Sequence, residues 1–242
     1  MRIDQLLVER GLAASRSQAQ RLIAAGVQWR TPPGALPTAV VEAVKSSVEW
    51  RKINKNKDEV PSDAEIVLLD DSESKYVSRG GLKLEGALLS SGVSVSGLRC
   101  LDVGHGQVHP RVMEDERVIC IEGVNARELM PDDERIPDAE TGFDVMVGDV
   151  SFISLTLVLP GVVPFLKPGG TLLMLVKPQF ELQPENIGKN GLVKDPAMYP
   201  VIEKRIRTSL KELGLKVTGW YDSAIEGGDG NREFFVQAVM PE

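Results

Sequence analysis

Apolar positions change their spacing along this chain. Ile3, Leu6 and Leu7 recur at helical intervals and the pattern stops at Gly11, predicting a helix over Ile3–Arg10. In the next stretch, SRSQAQRLIAAG, Ala19, Leu22 and Ile23 share one face. Ser15 stands where an N-cap belongs, Gln18 follows three residues later as in a capping box, and Gly26 ends the helix. Arg16, Gln20 and Arg21 fall near its solvent side. A short β element, Val27–Trp29, and a Pro/Gly-rich turn, Thr31–Pro37, come next. RKINKNKDEV reads as a loop or exposed edge. AEIVLLD reads as a closing strand, SESKYVSRGG as a linker stopped by two glycines, and LKLEGALLSSG as a helix with Leu82, Leu84, Ala87 and Leu88 apolar.

From residue 98 the pattern becomes one of buried strands separated by helical segments. LRCLDVG, RVICIEG, FDVMVGDV and TLLMLVKP are predicted as four successive strands. Helices such as Ser154–Phe165 and Pro196–Leu213 lie between and after them. KVTGWYDSAI and NREFFVQAVM form a closing antiparallel pair. Such alternation predicts a parallel sheet with helices on both faces. Residues 1–62 are expected as a small α+β domain, 63–81 as its closing strand and a linker, and 82–242 as a larger α/β domain.

The distribution of charge adds to this picture. The 242 residues carry a formal net charge of −7, which by itself argues against nucleic acid. Residues 1–60 nevertheless hold 10 Lys and Arg against 6 Asp and Glu, and the remaining 182 hold 18 against 29. A basic head on an acidic body directs the head toward phosphates. The two cysteines, Cys100 and Cys120, are too few for a disulfide framework. Both sit in apolar runs and are expected as buried, unreactive thiols of a reducing, cytoplasmic compartment. MRIDQLLVERGL has charges within its apolar pattern and no signal-peptide core. The longest strongly apolar stretch, near Thr171–Val176, is far short of the roughly 20 residues of a membrane span.

In an open parallel sheet, ligands lie at the carboxyl ends of the strands. Asp102 and Gly104 (LDVG), Asp149 (GDVSF), Lys177 (LVKPQFE) and Glu233 (GNREFF) all fall at strand ends. Each has an ordinary reading taken singly: an aspartate there caps a helix, a lysine is solvated, a glutamate guards a sheet edge. Their joint placement points to chemistry.

The stretch RIDQLLVERGLAASRSQAQRLIAAGVQ resembles the small RNA-binding domain named after ribosomal protein S-four. In that family two helices present basic residues to folded RNA, which implies Arg2, Arg10, Arg16 and Arg21 here. The remainder resembles the TlyA, or hemolysin A, family of ribosomal RNA ribose 2′-O-methyltransferases. The matching stretches are YVSRGGLKLEGAL, CLDVG, HGQVHP, EGVNAREL, GDVSFISLTLVLP, LVKPQFE, NGLVKDP and GNREFF. This resemblance implies a Rossmann-like class I methyltransferase domain and S-adenosylmethionine as methyl donor. It also implies a Lys-Asp-Lys-Glu tetrad of the FtsJ type, here Lys83, Asp149, Lys177 and Glu233. The donor is expected beside Asp102 and Gly104, with its adenosine near Asn125, Asp149 and Phe152, and Arg79 is expected to contact RNA. A ribose 2′-hydroxyl is a poor nucleophile at neutral pH, so it must be aligned with the methyl group and relieved of its proton. A desolvated lysine beside another cation can serve as base; the resemblance gives that role to Lys177, with Lys83 assisting and the two carboxylates orienting the lysines. No metal is called for, and His105 and His109 read as loop residues with no ligand set.

The chain departs from the family pattern at one place. CLDVG runs directly into HGQVHP, without the glycine-rich donor loop, the helix and the strand that the family has there. Only Val108–Arg117 remains between the first two predicted strands, against the ten to twelve residues or more of a parallel crossover. The expected larger domain therefore lacks one βα unit. Ribosomal RNA or a ribosomal subunit is the implied partner, the large subunit favoured because no obvious arm precedes Arg2 and no long tail follows Glu233. The alternative is a non-catalytic RNA-binding or ribosome-assembly protein with a damaged donor site.

Overall fold

The computed structural model describes residues 1–32, 50–71, 75–76, 78–104, 108–137 and 139–242. Most of the Pro/Gly turn at Thr31–Pro37, part of the SESKYVSRGG linker and His105 lie outside the described residues. Two compact units are present, Met1–Leu82 and Lys83–Glu242.

In the first unit, helix α1 (Ile3–Glu9) packs on α2 (Arg16–Gly26), and Ile3, Leu6, Leu7, Ala19, Leu22 and Ile23 form a common core, as their spacing predicts. The Ser15 hydroxyl accepts from the Gln18 amide at 3.2 Å. The Gln18 side chain does not return to Ser15; its Oε1 accepts from the Ala14 amide at 2.6 Å, which still satisfies a donor ahead of the helix. Strands β1 (Val27–Arg30), β2 (Arg51–Lys52) and β3 (Glu65–Leu68) make an antiparallel sheet in the order β2-β1-β3. RKINKNKDEV thus contributes an edge strand and a turn.

Asp4 ties this unit together. It has no exposed surface, and its carboxylate accepts from Arg2 Nε at 3.0 Å, Arg2 Nη2 at 2.9 Å and Arg16 Nη2 at 3.0 Å. Burial by itself would raise this carboxyl; the hydrogen bonds and charges of the two arginines outweigh it and hold the group below 3.8.

Helix α3 (Arg79–Ser91) begins three residues earlier than the predicted start at Leu82 after the glycine stop. Gly80 and Gly81 lie within its first turn, and a Cβ on Gly81 would collide with the Tyr76 side chain; close approach, not helix termination, calls for glycine at 81.

The second unit is built on a five-stranded sheet in the order β4-β5-β6-β8-β7. Its strands are β4 (Cys100–Val103), β5 (Phe143–Gly148), β6 (Leu166–Val176), β7 (Lys216–Asp222) and β8 (Phe234–Val239). The first three are parallel, and β8 runs antiparallel to both β6 and β7. Central strands buried on both faces read as unbroken apolar runs. Met146, Leu172, Met174, Phe234 and Val236 point into one core with α5 (Leu155–Val162) and α7 (Tyr199–Glu212). Val145, Val147, Leu173, Leu175 and Phe235 point to the other, covered by Leu84, Ala87 and Leu88 of α3.

Two expectations fail, and for a common reason. RVICIEG is not a strand, and among the described residues β4 pairs with β5 alone. Among the described residues between β4 and this segment the one helix is the short α4 (Pro110–Met113), too little to carry a parallel crossover. Ile119 is 67% exposed in consequence. Cys100, read as buried, is exposed because it sits on the uncovered β4 edge; nearby protein and the Asp144 charge still push its thiol up, which keeps it protonated.

Asp4→Asn should lower the stability of the first unit at neutral pH by about 1–2 kcal/mol, less than for a sealed pair because Arg2 and Arg16 are 40% and 53% exposed. A carboxyl whose native pKa is lowered stabilises the fold above its unfolded value and loses that contribution as pH falls through the native one. Thermal melts in descending pH should therefore show the difference between variant and parent shrinking below pH 3.8.

Candidate active site

Strand register brings three of the predicted residues to one edge of the sheet. Asp149 follows β5, and its amide donates to the Val103 carbonyl at 3.1 Å at the end of β4. Lys177 follows β6. Val176 pairs with Phe234, so Lys177 and Glu233 stand one position beyond the last pair of the β6/β8 ladder. Lys83 enters from α3.

The four residues form two ion pairs. Lys83 Nζ lies 2.6 Å from Glu233 Oε2, and these side chains are only 9% and 2% exposed. Lys177 pairs with Asp149 and also donates to Ser151 Oγ at 2.7 Å. Gly227 seats Glu233: a Cβ there would lie 2.7 Å from Glu233 Oε1. A side chain at 227 would push the carboxylate off Lys83.

The loop after β5 is fixed from below. Glu181, in α6 (Pro178–Glu181), accepts from Ser154 Oγ and from the Leu155 amide, both at 2.6 Å, and so caps α5. Burial raises its carboxyl above the usual range against the pull of those donors. Between Asp149 and this clamp stands Phe152. It is 91% exposed and holds φ at 63°, a left-handed conformation that a bulky residue adopts only when its surroundings impose it. Its ring lies 5.2 Å from that of Phe180.

Asn231 secures the other side. It is 2% exposed, accepts from the Val193 amide at 3.0 Å, and donates to the Gly191 carbonyl and to Asp229 Oδ2 at 2.8 Å each. The NGLVKDP loop is thereby tied to the turn that leads into Glu233. Ser151, Glu181 and Asn231 all lie inside the motifs quoted above, but their work is positional and spacing alone does not mark it.

The residues expected around the donor are only partly assembled. Asp102 sits on β4 where surrounding protein, and then the charge of Asp149, push its carboxyl up. Gly104 is open: the nearest atom to a Cβ there is the Asp149 carbonyl oxygen at 4.0 Å. Asn125 is exposed and its amide is engaged locally, donating to Glu128 at 2.7 Å and accepting from the Arg127 amide at 3.2 Å. In doubly wound folds an acidic residue beyond the first strand holds the ribose of an adenosine, and no strand lies beyond β4 among the described residues. Of the residues expected beside the adenosine, Asp149 pairs with Lys177 and Phe152 follows Ser151 on the same loop, while Asn125 is engaged within its own turn, so among the described residues the set is only partly assembled.

Of the predicted RNA contacts, Arg2 and Arg16 are held on Asp4. Arg10 donates to the Ala64 carbonyl at 2.5 Å and to that of Ser62. Arg21 is exposed at intermediate level on α2, and Arg79 opens α3.

Removing one member of a sealed ion pair strands its partner. Glu233→Ala should destabilise the second unit by about 3–5 kcal/mol in urea unfolding. Lys83→Met combined with Glu233→Leu should cost clearly less than the sum of the single changes.

Comparison with known proteins agrees with this architecture. The FtsJ-like methyltransferase family matches residues 90–239, and the S4 domain matches residues 1–26. The "16S/23S rRNA (cytidine-2′-O)-methyltransferase TlyA" of Mycobacterium tuberculosis is 33% identical over 261 aligned positions, covering 97% of this chain and 88% of the relative. "Hemolysin A" of Brachyspira hyodysenteriae is 30% identical over 266 positions, covering 99% and 100%. A chain of 242 residues leaves at least 24 of those 266 positions without a counterpart. A solved structure from Streptococcus thermophilus that carries a hemolysin name aligns with a TM-score of 0.68 at 29% identity, covering 100% of this chain and 89% of that one. This chain belongs to the FtsJ-like methyltransferase family and carries an S4 domain at its N-terminal end.

Proposed function

We propose that this chain methylates the 2′-hydroxyl of a ribose, a cytidine ribose, in ribosomal RNA, with S-adenosylmethionine as donor. The observation that carries this reading is the pairing of Lys177 with Asp149 and of Lys83 with Glu233 at adjoining strand ends. The relatives named for this reaction support it. The large subunit is the carrier favoured by the family resemblance, and a cytoplasmic location follows from the sparse cysteines and the N-terminus without a signal-peptide core.

The donor supplies an electrophilic methyl group; the chain's residues act on the ribose. Lys177 is the less buried lysine, its side chain 11% exposed, and Ser151 and Asp149 fix its direction. To act as base Lys177 first releases its own proton to solvent; its neutral Nζ then takes the proton of the ribose hydroxyl as the oxygen becomes nucleophilic, and Asp149 holds the ammonium that results. Lys83, locked on Glu233, supplies a fixed positive field that favours the developing oxyanion. Phe152 and the loop clamped by Glu181 keep the approach oriented.

A protein that binds RNA without transfer is favoured by one observation, the uncovered β4 edge. The two readings differ in donor binding. Lost adenosine contacts correspond to about 1.5–3 kcal/mol, so calorimetry should find the donor bound about ten to a hundred times more weakly than by the M. tuberculosis relative. No binding at any attainable concentration would favour the non-catalytic reading. Lys177→Ala should lower methyl transfer to ribosomal RNA by about 10²–10⁴-fold with RNA affinity unchanged, measured as labelled methyl incorporated. Transfer retained in the variant would remove Lys177 as base.

A further inference from the structure

We propose that the outer face of the small sheet in the first unit stacks the bases of an unpaired RNA stretch. Side chains alternate across β1. Val27 and Trp29 turn toward the helices and pack with Ile66 and Leu68. Gln28 and Arg30 therefore turn to the opposite face, where register sets them against Lys52, Val67 and Glu65. Trp50, one residue before β2, falls in register with Arg30 on that face. The Arg30 guanidinium lies 4.6 Å from the Trp50 ring centroid, and its Nε donates to Glu65 at 2.5 Å. On the helix-facing side, Arg51 lies over its register partner Trp29 at 5.4 Å.

Trp50 and Val67 remain 36% and 39% exposed, an apolar surface that the helix core does not use. Glu65 neutralises Arg30, which leaves Lys52, exposed and in register with Gln28, as the cation of that face, with exposed Lys55 and Lys57 in the turn that follows β2. An exposed aromatic ring beside a lysine fits single-stranded nucleic acid: every base offers a π-face, and the cation meets the phosphates. A duplex fits it poorly, because its bases are stacked away inside the helix. The helix arginines contrast with this face, since Arg2 and Arg16 share Asp4 and Arg10 is spent on backbone carbonyls.

This inference rests on the reading of the chain as an RNA binder, and the experiment separates the two. The full chain is titrated with a short oligouridylate and with an RNA duplex of equal length. The parent chain is expected to prefer the oligouridylate. Trp50→Ala should weaken that binding about tenfold, with Trp50→Phe restoring most of it. Lys52→Ala should lower the slope of log affinity against log salt by about one. Trp50→Ala binding within about twofold of the parent would overturn the proposal while leaving RNA binding in place. A lowered melting temperature with unchanged RNA affinity would also overturn it, by showing that the face packs on protein. Failure of the parent to bind either RNA would remove the underlying reading as well.

Discussion

A lysine and a carboxylate withdrawn from water together return less than they cost unless their geometry is held rigidly. Lys83 and Glu233 meet that condition because three elements converge on them. α3 delivers the lysine, the start of β8 delivers the glutamate, and Gly227 leaves the carboxylate room. The same ladder that places Glu233 places Lys177 beside it, through the pairing of Val176 with Phe234. The apolar strands β5, β6 and β8 thus have a double consequence: they form the core of the second unit, and their register sets the spacing of the charged groups at its edge. A sheet slipped by one residue would turn Lys177 and Glu233 to opposite faces.

How much of this was legible in the sequence differs by element. The helices of the first unit could be read from Ile3, Leu6 and Leu7 and from Ala19, Leu22 and Ile23, because a one-sided core writes a 3.6-residue period. The strands β5 and β6 were visible as apolar runs, and the strand-end positions of Asp149, Lys177 and Glu233 followed. The ion pairing was not visible, since it depends on register between segments some thirty to one hundred and fifty residues apart. RVICIEG carries the composition of a strand without the crossover that would bring it against β4. Composition is local and crossover length is not, so the two disagreed. Gly81 misled in a related way: its reason lies in the Tyr76 side chain.

The donor side shows where the fold is thinnest. β4 bears Asp102 at an edge with no strand beyond it among the described residues, and Asn125 bonds within its own turn. The reacting side is braced from three directions, by Glu181 on the α5 terminus, by Asn231 on the NGLVKDP loop and by Lys83 on Glu233. Rigidity and chemistry are therefore concentrated where the ribose would lie. On the proposed function, the affinity that a second βα unit normally lends to a donor would be reduced. An enzyme so built would hold its RNA and its base in place and depend on donor concentration for rate.

The most direct test of this account is the position of the methyl group. Unmethylated ribosomal subunits are incubated with the chain and excess labelled S-adenosylmethionine, and the recovered RNA is hydrolysed in alkali. A methyl group on a ribose 2′-oxygen blocks cleavage at that linkage, so the account predicts label in an alkali-resistant dinucleotide with cytidine at its 5′ side. Label in mononucleotides alone would mean a base is modified, and no label in RNA at saturating donor would mean that the chain does not transfer methyl groups; either result would contradict it.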